Sequence, residues 1–181
     1  MFFTYLFPHI KKKFYLFTGS SDYSIDEKYE SYLNNGKIIN WIGHNITLQH
    51  PKIIKIPIGF SNSLGTNSDL LNSLQEIPLD KKENKLLITY MDVTSVSEEA
   101  ANYRKNAIKI FKEKNWVNKI EKCDLQSYLN HINSHKFVLC PKGNGIDTFR
   151  FWETVFLGSI PIIESCELDD LYEKVPCIIV K

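Results

Sequence analysis

An apolar strand that runs into a glycine-containing loop and then into a helix constrains the fold of this chain most. Phe137 to Cys140 are consecutive apolar residues typical of a buried strand, and Pro141 ends the run because it has no backbone N–H to donate. Gly143 and Gly145 are expected to allow positive φ angles and close approach of a ligand to the backbone. Strand, loop and helix in this order predict an α/β fold with an anion pocket at the turn.

The helix that follows the loop carries charged residues suited to a nucleotide. Asp147 is the expected N-cap of a helix that begins near Thr148, where free N–H groups and the helix dipole favour a phosphate. Lys142 lies on the loop, and Arg150 and Glu153 share one face of the helix because they are three residues apart. Cations that bind phosphate and a carboxylate that accepts from ribose hydroxyls together describe a nucleotide site.

Three better-known loop motifs, two that bind phosphate and one that carries a catalytic cysteine, match this segment less well. A P-loop needs a Gly-Lys-Ser/Thr sequence that the chain lacks. A dinucleotide fingerprint that starts at Gly143 meets Gly145 but finds Thr148 where its third glycine belongs. Cys140 completes the apolar strand and precedes a loop without an arginine, so we interpret it as a buried structural residue and not as a nucleophile.

The segment resembles a known family of enzymes. Cys140 to Glu153, followed by Leu157-Gly-Ser-Ile-Pro-Ile-Ile163, is similar to the donor-binding segment of exostosin-type glycosyltransferases, which have a GT-B architecture of two facing Rossmann-like domains. The resemblance is strong from Lys136 to Glu164 and looser back to Lys85. Fucosyltransferases contain a similar pattern, so the resemblance identifies the donor half better than the sugar.

That resemblance implies roles for individual residues. Lys142 and Arg150 would bind the diphosphate of a nucleotide sugar, and Glu153 its ribose or base. Arg104, on an earlier helix, would also reach the phosphates, although it lies on an ordinary charged helix surface. The remaining donor-binding candidates belong to the loop and the helix start: Gly143, Asn144, Gly145, Asp147 and Thr148. The co-substrate would be a UDP- or GDP-linked sugar, with no other cofactor.

Composition limits the partners and the compartment. A net charge of +1, with 22 basic and 21 acidic residues, gives no field for binding nucleic acid, so we expect small partners. The four cysteines show no Cys-x-x-Cys spacing and are expected to be reduced. The apolar amino terminus is interrupted by Pro8 and by Lys11 to Lys13, so it fits neither a membrane span nor a signal peptide. These features predict a cytoplasmic protein, in which the Asn45-Ile46-Thr47 sequon would have no meaning.

The pattern of elements predicts two units, each with a parallel sheet. Residues 1–60 are expected to form part of an acceptor-side α/β lobe, with strands at Phe14–Phe17, Lys37–Trp41 and Ile53–Ile58 and a helix at Ile25–Asn34. Residues 61–84 are interpreted as a linker that contains a polar stretch, Ser61–Thr66, a short helix, Asp69–Ile77, and a solvated charged run, Lys81–Lys85. Residues 85–181 alternate between strands and helices and predict a Rossmann-like nucleotide-sugar domain, in which Asp124 is the expected N-cap of a helix at Leu125–Ser134. In its helix after the loop, Phe149, Trp152 and Phe156 are expected to face the core. At 181 residues the chain is short for a GT-B enzyme, so the amino-terminal domain is expected to be incomplete.

The chemistry of glycosyl transfer predicts a metal-independent site. The nucleoside diphosphate leaves with added negative charge, which Lys142, Arg150 and free N–H groups would stabilise in the transition state. Asp169-Asp170 lacks the Asp-x-Asp spacing of metal-bound sugar nucleotides and is typical of helix capping. A general base should lie on the amino-terminal part, where Asp22 is the candidate and His44 its rival.

The sequence therefore predicts a glycosyltransferase that moves a sugar from a nucleoside diphosphate to a hydroxyl group of a glycan or another acceptor. Two alternatives stay open at this point. The chain could be a non-catalytic nucleotide-sugar-binding module, or a remnant of such an enzyme, since its amino-terminal part looks incomplete. It could also be a different Rossmann-like enzyme, such as an oxidoreductase, in which the Gly143 loop holds a dinucleotide.

Overall fold

The computed structural model describes residues 1–61, 74–93, 96–111 and 113–181. It contains two parallel β-sheets flanked by helices, which confirms the predicted Rossmann-like α/β class. The expected link after Ser61 and residues 69–73 of the expected Asp69–Ile77 helix lie outside the described residues. The described end of that segment, residues 74–77, is not helical.

The first sheet has three parallel strands in the order β1-β2-β3. Its strands are β1 (Phe14–Thr18), β2 (Ile38–Gly43) and β3 (Ile53–Lys55). The short helices of this part are a π-helix, Phe2–Leu6, the 3₁₀ turns Phe7–His9 and Glu27–Tyr29, and α1, Glu30–Asn34. The three predicted strands and the predicted helix therefore exist, although the helix is shorter than expected.

Aromatic side chains form the core under the first sheet. Trp41 is 1% exposed, and its indole Nε1 donates to Thr18 Oγ1 over 2.9 Å. The ring of Phe3 packs on Tyr32 and Trp41, with centroids 4.2 and 5.2 Å away, and Phe7 is also buried. The apolar amino terminus is thus part of this small core, where large rings bury much area with few residues.

The second sheet has five parallel strands in the order β5-β4-β6-β7-β8. The strands are β4 (Glu83–Ile88), β5 (Val117–Lys119), β6 (His135–Leu139), β7 (Ile160–Glu164) and β8 (Ile178–Val180). Because β4 lies between β5 and β6, the chain first adds a strand on one side and then continues on the other. This order creates a topological switch point between β4 and β6.

Helices cover the two faces of the second sheet unequally. The helices are α2 (Glu98–Phe111), α3 (Leu125–Ser134), α4 (Phe149–Phe156) and α5 (Asp169–Tyr172). Side chains of α3, α4 and α5 share one large core with Leu87 and Val138, and α2 packs on the other face beside Leu86 and Ile88. Asp124 caps α3 as predicted, since its Oδ1 accepts from the N–H of Ser127 over 2.9 Å.

The predicted core stripe of α4 is wrong in detail. Phe151 is the buried ring, 1% exposed, whereas Phe149 and Phe156 are 40% and 50% exposed. The helix is only eight residues long and is packed from two sides, so the residues that face the sheet do not follow a single stripe. Phe156 instead packs against Phe60, with ring centroids 4.9 Å apart.

The run Lys81–Lys85 is not the solvated linker that its composition suggested. Glu83 begins β4, and Lys82 is only 4% exposed. The Nζ of Lys82 donates to the carbonyl oxygen of Asn133 and to that of Leu157, the latter over 2.9 Å. These carbonyls belong to the carboxyl ends of α3 and α4, so this lysine satisfies two helix ends at once. The division of the chain at residues 60 and 85 stays a prediction.

The two sheets are joined by polar contacts as well as by the chain. Lys55, at the end of β3, has a side chain that is 7% exposed and lies 2.8 Å from a carboxylate oxygen of Asp170 on α5. The same Nζ donates to the carbonyl oxygen of Glu167 over 2.9 Å. Among the described residues, no helix is both long and apolar enough to cross a membrane.

The position of Lys82 gives a test of the fold. Lys82→Met is expected to lower the free energy of unfolding by about 3 kcal/mol, because it leaves two buried carbonyl groups without a donor. Lys81→Met is the matched control, since Lys81 is exposed and makes only a loose 3.8 Å pair with Asp80, so its loss should cost less than about 0.5 kcal/mol. Urea denaturation of both variants measures the difference, and equal stabilities would contradict the assigned role of Lys82.

Candidate functional site

The crevice between the carboxyl ends of β4 and β6 is the candidate site. In doubly wound sheets, ligands bind outside the carboxyl ends of the strands at the switch point. Here Tyr90 to Asp92 follow β4, and the Cys140–Asp147 loop follows β6. The strand order of the second sheet places both segments at its switch point.

Two arginines from different helices meet in this crevice. Arg150, on α4, donates from Nη2 to the carbonyl oxygen of Tyr90 over 3.2 Å. Arg104, on α2, donates from Nη1 to the carbonyl oxygen of Asp92. Burial and the nearby positive charge of Arg150 lower the pKa of Arg104, whereas the carboxylates of Asp92 and Asp22 act in the opposite direction. The two guanidinium groups are therefore close enough to repel each other.

The charge of this arginine pair is only partly compensated. Among the described residues, neither Arg104 nor Arg150 has a carboxylate within salt-bridge distance. The Nε atom of each is buried and has no hydrogen-bond partner in the described part of the chain. Each guanidinium group instead donates a hydrogen bond to a backbone carbonyl oxygen. A crevice built in this way favours an anion, which would relieve the repulsion between the two cations.

The loop needs glycine at positions 143 and 145 for a different structural reason than the positive φ angles that we expected. Neither Gly143 nor Gly145 has a positive φ angle, so that prediction is wrong. Close approach is the actual constraint: a Cβ on Gly143 would lie 2.6 Å from Arg104 Nη2, and one on Gly145 would lie 2.8 Å from Asn45 Nδ2. The loop is closed by a hydrogen bond of 3.0 Å from Gly143 N to Gly145 O. The glycines thus admit protein side chains that approach from α2 and from the first sheet.

Asp147 is not the N-cap that the sequence suggested. The N-cap of α4 is Thr148, whose side chain makes no capping hydrogen bond with any described residue. Asp147 is 2% exposed, and its carboxylate accepts from Ile58 N over 2.6 Å, from Trp152 Nε1 over 2.7 Å and from Tyr172 OH over 3.2 Å. Burial raises its pKa, which these hydrogen bonds oppose. Because Ile58 follows the first sheet, Asp147 joins the two halves of the chain.

A cavity of about 440 Å³ lies beside the glycine loop, towards the end of β7. Glu164 and Glu167 contribute carboxylates to its wall, and Tyr103 OH donates to Glu164. Lys142 also lines it, with Nζ 3.2 Å from Glu99 Oε1 and 4.9 Å from the centroid of the Tyr103 ring. This cavity therefore contains two carboxylates and one lysine, and neither Arg104 nor Arg150 lines it.

Glu153 lies deeper than its expected contact with a ribose suggests. It is 3% exposed, and its Oε2 accepts from Tyr128 OH over 2.9 Å, while Oε1 accepts from Ser61 N over 3.4 Å. Burial raises the pKa of Tyr128, a residue that the sequence analysis did not single out.

Cys140 is buried, as predicted, and this burial raises the pKa of its thiol to about 12. Asn144 is exposed, and its Oδ1 accepts from Ser97 N over 2.9 Å.

The opposite wall of the crevice comes from turns after β1 and β2. Asp22 is exposed, and its carboxylate is within electrostatic reach of Arg104. The Nε2 of His44 lies 3.0 Å from the carbonyl oxygen of Ser21. A cavity of about 660 Å³ opens beside this turn, and aromatic and polar groups line it: Phe3, Phe17, Tyr23, Lys28, Tyr29, Trp41 and His44. Both candidate bases therefore lie on turns that follow strands of the first sheet, and their role stays a prediction.

Asn45 is the main residue of the site that the sequence analysis missed. It is 1% exposed, has a φ angle of 54°, and bonds through its side chain to both sides of the crevice. We had noted it only as the first residue of a sequon, and a buried, doubly bonded amide is not accessible to glycosylation in the folded protein. Its place two residues after β2 was a usable signal, since asparagine readily adopts left-handed backbone geometry near a strand end.

Comparison with known families adds an independent finding. Residues 90–176 match the RXYLT1 C-terminal domain. This similarity supports a glycosyltransferase family for the segment, which runs from Tyr90, just after β4, to Pro176, just before β8. It contains Arg104, Lys142 and Arg150. No curated protein matches the chain significantly.

The two loop glycines give a test of the site geometry. Gly145→Ala is expected to lower the free energy of unfolding by about 1–3 kcal/mol, because its Cβ would collide with an asparagine held by two hydrogen bonds. Gly143→Ala should change stability by less than about 1 kcal/mol, because the guanidinium of Arg104 is the end of a flexible side chain. Urea denaturation compares the two variants, and a larger loss for Gly143→Ala would show that Arg104 is the more rigid neighbour.

Proposed function

We propose that this protein transfers a glycosyl group from a nucleoside diphosphate sugar to an acceptor hydroxyl group. The observation that carries the proposal is the Arg104–Arg150 pair at the switch point, which has no carboxylate partner at salt-bridge distance among the described residues. The similarity of residues 90–176 to a glycosyltransferase family domain supports the same reaction class. The narrower resemblance to exostosin-type enzymes with two facing GT-B domains is part of the proposal.

The reaction needs stabilisation of a leaving diphosphate. The bond between the anomeric carbon and the phosphate oxygen breaks, and the diphosphate departs with the bonding electrons. Arg104, Arg150 and the first N–H groups of α4 would stabilise this charge more strongly in the transition state than in the ground state. Lys142, now paired with Glu99, would add a third cation by turning towards the crevice.

Hydroxyl recognition is assigned to the carboxylate side of the loop. Glu164 and Glu167 line the cavity next to the glycine loop and would accept hydrogen bonds from the hydroxyl groups of a sugar. Ionised phosphate groups have no hydrogen to donate to these carboxylates. A nucleotide sugar has both kinds of groups within a few ångströms, which suits a loop with cations on one side and carboxylates on the other. Glu153 would reach a ribose only by giving up its bond with Tyr128.

The acceptor is proposed to enter from the side of the first sheet. Its hydroxyl oxygen attacks the anomeric carbon, and its proton passes to a base on the turn after β1 or to water. Asp22 is the proposed base because its carboxylate is exposed and lies within electrostatic reach of Arg104. His44 is the alternative, although its Nε2 contacts the carbonyl oxygen of Ser21.

The arginine pair gives a direct prediction for ligand affinity. Arg150→Met is expected to weaken binding of UDP or GDP by about tenfold to a hundredfold, since a charge-assisted hydrogen bond contributes about 1.5–3 kcal/mol. Lys105→Met is the matched control, because Lys105 is exposed on the same helix as Arg104 and its loss should change affinity by less than about twofold. Isothermal titration calorimetry measures both.

The result also separates the alternatives. Equal affinity in the two variants would remove the arginine pair from the proposal. Stronger stabilisation by NAD than by UDP or GDP would favour an oxidoreductase instead. Binding of UDP or GDP without consumption of any UDP- or GDP-linked sugar would favour a non-catalytic binding module.

Metal independence is a separate prediction. Because the two arginines would supply the positive charge that a divalent cation supplies in metal-dependent transferases, consumption of the nucleotide sugar is expected to proceed at an unchanged rate in excess EDTA. Release of nucleoside diphosphate, followed by chromatography, measures the rate with and without chelator. Activity that EDTA abolishes and manganese restores would contradict the assignment of charge stabilisation to the arginines.

A further inference from the structure

Asn45 occupies a position that few side chains could fill. It follows β2 with a φ angle of 54°, in the left-handed region that asparagine tolerates better than most residues. Its side chain is buried against the glycine loop, where a Cβ on Gly145 would lie 2.8 Å from Nδ2. The amide therefore lies at a contact between the two halves of the chain.

The two ends of this amide bond to opposite sides of the crevice. Oδ1 accepts from the backbone N–H of Asp147 over 2.9 Å, at the end of the loop that follows β6. Nδ2 donates to the carbonyl oxygen of Ser21 over 3.1 Å, in the turn that follows β1. One side chain with an acceptor and a donor thus connects the proposed donor-binding loop to the proposed acceptor side.

Ser21 is the residue directly before the candidate base. Its carbonyl oxygen is contacted by Asn45 Nδ2 and by His44 Nε2, the latter at 3.0 Å. Two contacts to one carbonyl fix the plane of the peptide between Ser21 and Asp22. That plane restricts the directions in which the Asp22 side chain can leave the backbone, and the Asp22 carboxylate lies within electrostatic reach of Arg104.

We infer that Asn45 is a positioning residue, which orients Asp22 towards the diphosphate-binding crevice through the Ser21 carbonyl. This inference rests on the proposed transferase function. Neither an aspartate nor a glycine can replace the amide: aspartate lacks the donor for Ser21, and glycine lacks both groups. A displacement of about 1 Å at a reacting group is enough to lower a rate by about a hundredfold.

The test compares Asn45→Gly with Ser20→Gly. Both positions have left-handed backbones, with φ angles of 54° and 55°, so glycine fits each without strain. The side chain of Ser20 is exposed and has no hydrogen bond with any described residue, which makes it the matched control. Each variant is first checked for folding by circular dichroism. Then kcat and KM for the nucleotide sugar and the affinity for UDP or GDP are measured.

Asn45→Gly is expected to lower kcat at least about tenfold while KM and diphosphate affinity change less than about twofold. The acid limb of its pH–rate profile should also move, because that limb reports the base. Ser20→Gly should match the wild type. Asn45→Asp should not restore kcat, although it keeps the acceptor for Asp147 N–H.

Each other outcome overturns the inference in a recognisable way. If Asn45→Gly keeps the wild-type kcat, or loses kcat and diphosphate affinity together, Asn45 is only structural and the transferase proposal stands. If Asn45→Gly fails to fold, Asn45→Asp is used as the test variant instead. A wild-type kcat in Asn45→Asp would then contradict the inference. If the wild type neither binds a nucleoside diphosphate nor consumes its sugar derivative, the proposed function is wrong and the inference falls with it.

Discussion

The buried junction at Asp147 is the constraint on which the rest of the site depends. Its carboxylate accepts hydrogen bonds from Ile58, Trp152 and Tyr172, and its own N–H donates to Asn45. The first of these donors lies after the first sheet and the next two lie on helices of the second sheet. Burial raises the pKa of this carboxyl group, and the three donors that face it act in the opposite direction. The relative placement of the two sheets, and hence the width of the crevice, follows from this set of bonds.

Charge is distributed unevenly around the loop that this junction supports. Arg104 and Arg150 lie on the side of β4, where they rest on the carbonyl oxygens of Asp92 and Tyr90. Glu164 and Glu167 lie on the side of β7. A ligand that is anionic at one end and rich in hydroxyl groups at the other matches this pattern. The similarity of residues 90–176 to a glycosyltransferase family domain agrees with that chemistry.

The sequence predicted local features well where one residue decides the structure. Asp124 capped α3 at the expected residue, and the strand, loop and helix around Gly143 were recognised because Pro141 and the glycines punctuate them. The strand β5 was missed because three residues, Val117–Lys119, carry too little periodicity to be recognised. Sequence patterns also could not show that Lys82 is buried, since a lysine-rich run is usually solvated.

The errors within the site have one physical origin, which is contact between distant parts of the chain. Asp147 has the residue type and the position of an N-cap, but its carboxylate instead accepts a hydrogen bond from the N–H of Ile58, which is 89 residues away in the sequence. The side chains of Arg104 and Asn45 approach Gly143 and Gly145 so closely that a Cβ atom would collide with them. The local sequence does not predict these neighbours. For the same reason the sequence could indicate a left-handed turn at Asn45 but not the two partners of its side chain.

A crystal structure of the protein with bound UDP or GDP tests the central claim most directly. The claim predicts phosphate oxygens within hydrogen-bond distance, about 2.7–3.2 Å, of guanidinium nitrogens of both Arg104 and Arg150. Phosphates bound elsewhere, with both arginines still resting on the carbonyl oxygens of Tyr90 and Asp92, would contradict it.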